Sequence, residues 1–96
     1  MKRRFVIAVD KPTSEQTRAI SDIFRDRYGW WHWIQGFWLV ADPTGKLTAA
    51  WIRDRISEVA PGCRNLVIQV SHESWAGSGP SAPENTMFDW IRENWE

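Results

Sequence analysis

The distribution of apolar and polar residues predicts a strand followed by a helix at the start of the chain. Residues 4–10 are largely apolar at both odd and even positions, which indicates a strand covered on both faces. Residues 13–28 carry apolar side chains at helical spacing, and Thr13 with Gln16 is typical of a capping box at a helix start. Gly29 is expected to follow the end of this helix.

The middle of the chain predicts a hairpin, a second helix and a last core strand. Residues 30–34 and 37–41 are aromatic and β-branched runs separated by two turn residues, the second of them glycine. A helix is expected over residues 48–60, because Thr48 can cap it and apolar residues recur along one side. Residues 66–70 are again apolar on both sets of alternating positions.

The order strand, helix, strand, strand, helix, strand predicts an α+β domain of ferredoxin-like βαββαβ type. Its four-stranded antiparallel sheet has the expected order 4-1-3-2, with two helices on one face. Residues 1–78 form this core, and residues 79–96 form a linker and a C-terminal helix that packs on the core or on a partner subunit. Both central strands are apolar on two faces, but the two helices cover only one of them. Either a second copy of the chain or the C-terminal segment must therefore cover the face that lacks helices.

Composition narrows the class of protein. The chain has 96 residues, one cysteine and a formal net charge of zero. A single cysteine excludes a disulfide within the chain. Proteins that hold DNA mainly through its phosphates usually carry an excess of basic residues, which this chain lacks. The start of the chain lacks the long apolar region of a secretory signal, and no apolar run is long enough to span a membrane, so we predict a cytoplasmic protein.

Tryptophan is the unusual feature of the composition, with eight residues in the chain. Either large side chains fill a small core, or several of them form an interaction surface. Arginine beside aromatic faces can also stack on nucleic-acid bases. The residues predicted to bind a partner are Trp30, Trp31, Trp33, Trp38, Arg25, Arg27 and Trp95.

Four short motifs in this order resemble the small Cas2-like proteins, including the stand-alone SinR-like members. They are a first strand that ends in Asp10, the aromatic strand at 37–40, the helix around 52–56, and the strand at 66–70 followed by Trp75-Ala76-Gly77. The resemblance implies a ferredoxin-like fold and a homodimer formed through sheet faces. Such stand-alone relatives occur in bacteria and their mobile elements.

The resemblance also implies a candidate metal site. In some Cas2-like dimers, the aspartates that end the two first strands are proposed to hold Mg²⁺ for phosphodiester cleavage, and the matching residue here is Asp10. Val9 stands where the family usually has tyrosine before this aspartate, and the chain is not basic. Asp10 can alternatively accept hydrogen bonds from the turn that follows the strand.

Two functions are therefore weighed. The first is a small dimeric module without catalysis or cofactor that acts through a tryptophan-rich surface on a protein or nucleic acid. The alternative is a Mg²⁺-dependent endonuclease of RNA or DNA that uses paired Asp10 carboxylates. His32 is a possible general base or a packed side chain of the hairpin, and His72 lacks the second histidine of a zinc-protease motif.

Overall fold

The computed structural model of the chain describes residues 1–71, 74–79 and 86–95. The four strands are β1 (Arg3–Val9), β2 (Gly29–Ile34), β3 (Phe37–Asp42) and β4 (Asn65–Val70). The three helices are α1 (Ser14–Phe24), α2 (Ala49–Val59) and α3 (Thr86–Asn94). Most of the predicted linker, residues 80–85, lies outside the described ranges.

The four strands form one antiparallel sheet in the order β2-β3-β1-β4. The prediction of an α+β chain with a four-stranded antiparallel sheet is confirmed. In the register of the sheet, Val6 of β1 lies between Leu39 of β3 and Ile68 of β4. Because paired residues of antiparallel strands point to the same side, these three define one face, which we call the second face.

The opposite side, which we call the first face, carries the main core. Helices α1 and α2 both contribute side chains to a single buried cluster on this face. Its fully buried large members are Phe5, Ile7, Ile20, Phe24, Trp38, Val40, Ile52 and Ile56. Burying side chains of this size stabilises a fold by about 1.5–3 kcal/mol each relative to exposure, so the first face provides most of the stability.

Helix α1 starts where the sequence predicts and ends earlier. The Thr13 hydroxyl accepts a hydrogen bond from the Gln16 N–H at 3.1 Å, and the Gln16 side chain accepts one from the Thr13 N–H at 2.9 Å. The predicted extension to Tyr28 is wrong, because Asp26 adopts a left-handed conformation with φ of 69° and turns the chain after Phe24. Aspartate tolerates this conformation better than most residues.

The hairpin and the second helix follow the predicted signals closely. Gly36 has a φ of 71°, and a Cβ there would lie 2.5 Å from the Val9 carbonyl oxygen, so glycine is needed at this turn. Helix α2 begins after Thr48, whose hydroxyl accepts a hydrogen bond from the Trp51 N–H at 3.1 Å.

Helix α3 lies on the second face of its own chain. Ile91 and Trp95 are buried against Trp31 and Leu39, and Phe88 packs beside them. The C-terminal segment therefore supplies part of the second cover that the two-sided strands require. No described helix has the length and the apolar character needed to cross a membrane.

Candidate functional site

Strand alternation divides the tryptophans of the hairpin between the two faces. Trp30 and His32 point toward the first face, where the His32 ring stacks on the buried Trp38 ring with centroids 4.2 Å apart. The His32 Nδ1 atom lies 2.9 Å from the Phe37 carbonyl oxygen, which can only accept, so Nδ1–H donates this bond. His32 is thus held on two sides as a packed side chain of the hairpin.

Three of the tryptophans predicted to bind a partner lie in the interior. Trp38 is fully buried and its indole N–H donates to the Ser21 hydroxyl at 3.1 Å. Trp31 and Trp95 are buried in the cluster beneath α3. As placed here, these three side chains stabilise the domain, while Trp30 remains partly exposed and Trp33 is half exposed.

The segment before α3 completes the cover over one end of the second face. The Trp75 and Phe88 rings stack with centroids 6.1 Å apart. A Cβ on Gly77 would lie 2.6 Å from the Phe88 ring, so a larger residue there would require the ring to shift. A groove of about 650 Å³ remains between this cover and the sheet, and Trp33, Ile34 and Phe37 form its outer wall.

The other end of the second face is apolar and open. In the sheet register, Ile34, Phe37, Ala8 and Leu66 follow one another across all four strands, and we call these four residues the open row. Leu66 is 60% exposed and Ile34 56%, and neighbouring Ile68 is 47% exposed. Exposed apolar side chains that lie next to one another, rather than singly, mark an interaction surface.

Asp10 lies beside the open row. Its side chain is exposed, and its backbone N–H donates to the Arg64 carbonyl oxygen at 2.9 Å. Asp10 shares a shallow cavity of about 260 Å³ with Ala8, Arg64 and Leu66. In the part of the chain that is described, no three His, Cys, Asp or Glu side chains come together as metal ligands.

Asp10 is the one carboxylate among the residues that line this cavity, and Arg64 lies beside it. Mg²⁺ is commonly held through one or two carboxylates and several waters, so the Asp10 metal site stays a prediction. Glu73 and His72, which follow the last core strand, lie outside the described residues.

The two arginines predicted to bind a partner stand apart from the aromatic surface. Arg25 forms an exposed ion pair with Asp22 at 3.0 Å, and Arg27 is exposed in the loop before β2. Neither of them lines the groove or the cavities beside the hairpin. An exposed pair of this kind contributes about 0.5 kcal/mol or less.

A buried aspartate was missed by the sequence analysis. The Asp42 carboxylate accepts hydrogen bonds from the Thr44 N–H at 2.9 Å and hydroxyl at 2.6 Å, and from the Lys46 and Leu47 N–H groups at 2.9 and 2.7 Å. Burial acts to raise the pKa of the Asp42 carboxyl, but these four hydrogen bonds outweigh it and hold the pKa below its usual value. Asp42 therefore fixes the loop that leads into α2.

Comparison of the chain with protein-family models, with curated proteins and with solved structures found no match in any of the three. The resemblance to Cas2-like proteins therefore remains a prediction based on short sequence motifs. The same holds for the homodimer, the partner and the Asp10 metal site that the resemblance implies. What the structure provides for a functional argument is the open row and the groove beside it.

Proposed function

We propose that this chain is a small non-catalytic binding module of ferredoxin-like, Cas2-like type that works as a homodimer. The fold assignment is supported by the strand order, which reads β4-β1-β3-β2 from the other edge, and by the shared cluster of α1 and α2 on the first face. The function rests on the second face, and the first partner we assign to it is a second copy of the chain.

The observation that carries the proposal is the open row. It crosses the sheet from Ile34 on one edge strand to Leu66 on the other without a charged residue. Burying an exposed leucine or isoleucine is favourable by about 25 cal/mol for each Å² removed from water. A continuous strip of this kind therefore favours association over a monomeric state.

A second copy suits this surface better than a charged partner does. In a two-fold dimer the same patch meets itself, so like charges within the patch repel, whereas apolar side chains are complementary to their own copies. The open row satisfies this condition, and the zero net charge of the chain adds no long-range repulsion between protomers.

The test is the mass of the purified chain in solution. Light scattering coupled to gel filtration, across a hundredfold range of concentration, is expected to give twice the protomer mass of 11.2 kDa at the upper end. Leu66→Glu places a charge at the most exposed large apolar residue of the open row and is expected to weaken dimer association at least tenfold, about 1.4 kcal/mol.

Trp51→Glu is the matched control. Trp51 is 38% exposed on α2, far from the second face, so this variant also exchanges an exposed apolar residue for glutamate. Glutamate at the third helical position completes a capping box with Thr48 and favours folding. A wild-type chain that stays monomeric at every concentration, or an equal effect of both variants, would contradict the proposal.

The endonuclease alternative makes a different prediction. It is favoured by the position of Asp10 beside Leu66, because a dimer through the open row brings two Asp10 side chains toward the same interface. It requires Mg²⁺- or Mn²⁺-dependent cleavage of RNA or DNA that Asp10→Asn abolishes. The binding module requires no cleavage, and its dimer is expected to survive Asp10→Asn unchanged.

A further inference from the structure

A second surface follows the outer edge of β2. Two cavities, of about 520 and 460 Å³, share His32 and Trp33 as lining residues. The first is lined by residues 30–33, of which Trp30 and His32 lie toward the first face and Trp31 toward the second. A cavity that touches residues of both faces lies along the strand edge, and we call the two cavities together the edge groove.

Helix α3 overhangs one end of the edge groove. Asp89, Trp90 and Glu93 line it from that side, and the Trp90 ring lies 3.2 Å from the position of a Cβ on Gly29. The lining residues include two carboxylates and no lysine or arginine. Arg92 bridges Asp89 at 2.6 Å from outside the groove, so Glu93 supplies the remaining negative charge.

The edge itself is open for pairing. Among the described strands, β2 pairs only with β3, so its other side presents backbone N–H and C=O groups away from the sheet. Residues 29–34 contain no lysine, glutamate, aspartate or proline, the residues that natural proteins place on edges to prevent pairing. The register of β2 against β3 shifts between Trp31 and Ile34, so the regular part of the edge runs from Gly29 to Trp31. The six residues of β2 span about 20 Å, which suits an extended segment better than a compact ligand.

We propose that the edge groove binds an extended, basic protein segment, which adds to the sheet as a strand beside β2. Backbone hydrogen bonds to β2 provide affinity. Lysine or arginine side chains of the segment lie over the tryptophan rings, where a cation is attracted to the aromatic face, and next to Glu93. This inference rests on the proposed binding function and not on self-association, because the open row and the edge groove are different surfaces.

The experiment uses the full chain and three capped nine-residue peptides. One alternates valine with lysine, the second alternates valine with glutamate, and the third is the lysine peptide N-methylated at every second residue to remove donors from one edge. Binding is measured by tryptophan fluorescence and calorimetry. The lysine peptide is expected to bind at least tenfold more tightly than either of the others.

Two charge-reversal variants locate the site. Glu93→Lys is expected to weaken binding of the lysine peptide about tenfold. Glu58→Lys, which reverses an exposed charge on α2, is expected to change the affinity for the lysine peptide less than twofold. The mass of the wild-type dimer is measured in parallel, so that a wild-type chain that dimerises but does not bind the lysine peptide overturns this inference alone.

Four results would overturn the inference. They are equal binding of the lysine and glutamate peptides, unchanged binding after N-methylation, no binding of any peptide, and equal effects of the two variants. A further contrary result is protection from hydrogen exchange, in the peptide-free dimer, of those β2 backbone amides that do not bond to β3, since a second copy would then occupy the edge.

Discussion

On the first face of the sheet, Phe5, Ile7 and Trp38 are fully buried beneath two helices, whereas on the second face Leu66 and Ile68 remain exposed beside one. The strands contribute apolar side chains to both faces. The difference lies in the covers, since α1 and α2 have 11 residues each and α3 has nine. Apolar residues of β4 are thus exposed because a single short helix covers the second face, and not because β4 is more apolar than the other strands.

The comparison also separates stability from function. A face closed by two helices contributes free energy of folding but offers nothing to a partner. The second face contributes less to folding because only one end is covered, and the uncovered end is where association can bury further apolar surface. Substitutions on the first face should therefore change mainly the free energy of unfolding, whereas substitutions on the second face should change mainly association.

The largest effect is expected for Trp38→Ala compared with Trp33→Ala. Trp38 is fully buried, so its truncation should leave a cavity and lower the free energy of unfolding by about 3–5 kcal/mol. Trp33 is half exposed, and its truncation should cost about 1 kcal/mol or less. Urea unfolding monitored by circular dichroism at low protein concentration measures both.

An equal loss of unfolding free energy in these two variants would mean that Trp38 and Trp33 do not differ in burial as the structure shows. Ser21→Ala serves as an intermediate case, because it removes the acceptor of the Trp38 indole N–H without changing the ring. An unsatisfied buried donor costs about 1–3 kcal/mol, so this variant should lie between the other two.

The next effect is expected for Asp42→Asn, which alters the loop that positions α2 over the first face. Asparagine keeps the shape but loses the charge that four donors stabilise, so the free energy of unfolding at pH 7 should fall by about 2 kcal/mol. The pKa of the Asp42 carboxyl is lower in the folded chain than the ordinary aspartate value of 3.8. Its stabilising contribution is therefore complete above that value and disappears as the pH falls through the lower, folded pKa.

Unfolding curves for the wild type and Asp42→Asn should accordingly converge as the solution is acidified below pH 3.8. Asp10→Asn is the matched control, since Asp10 directly follows β1 whereas Asp42 ends β3, and the Asp10 side chain is exposed. A constant gap between wild type and Asp42→Asn down to the lowest pH would show that the carboxylate charge is not what holds the loop.

Local signals predicted the elements well where they act within a few residues. The Thr13 and Gln16 capping box and the Gly36 turn need only their neighbours, and both are present as predicted. The end of α1 was mispredicted because Tyr28 has helical spacing but reaches the core from a turn, where it packs edge-to-face on Phe24. The spacing of apolar residues alone does not show whether Tyr28 contacts Phe24 from the same helix or from a turn that follows it.

The candidate site was harder to predict because it depends on distant parts of the chain. The sequence indicated that a second cover is needed, but not that α3 would leave the open row exposed while it buries Trp31. The Asp42 network had a local signal, an aspartate two residues before a threonine, which is typical of an Asx turn. The edge groove had none, since residues 30–33 and 89–93 meet only in the folded chain.

The smallest effect on folding is expected for Ile68→Thr, and it most directly tests the role of the second face. Threonine keeps the β-branched shape that suits a strand and removes apolar surface that is already 47% exposed, so an isolated protomer should lose only about 0.5 kcal/mol. Ile7→Thr, one strand away and fully buried, should lose several times more, because it places a hydroxyl in the core.

Protein concentration separates the two variants further. If the second face closes by association, the thermal midpoint of the wild type rises with concentration, while that of Ile68→Thr rises less, because a weaker dimer gives less stabilisation by mass action. The gap between them should therefore widen from low to high concentration, measured by differential scanning fluorimetry. A gap that stays constant would mean that Ile68 faces solvent in every state, so association would not extend from the open row to Ile68 although the fold would be unaffected.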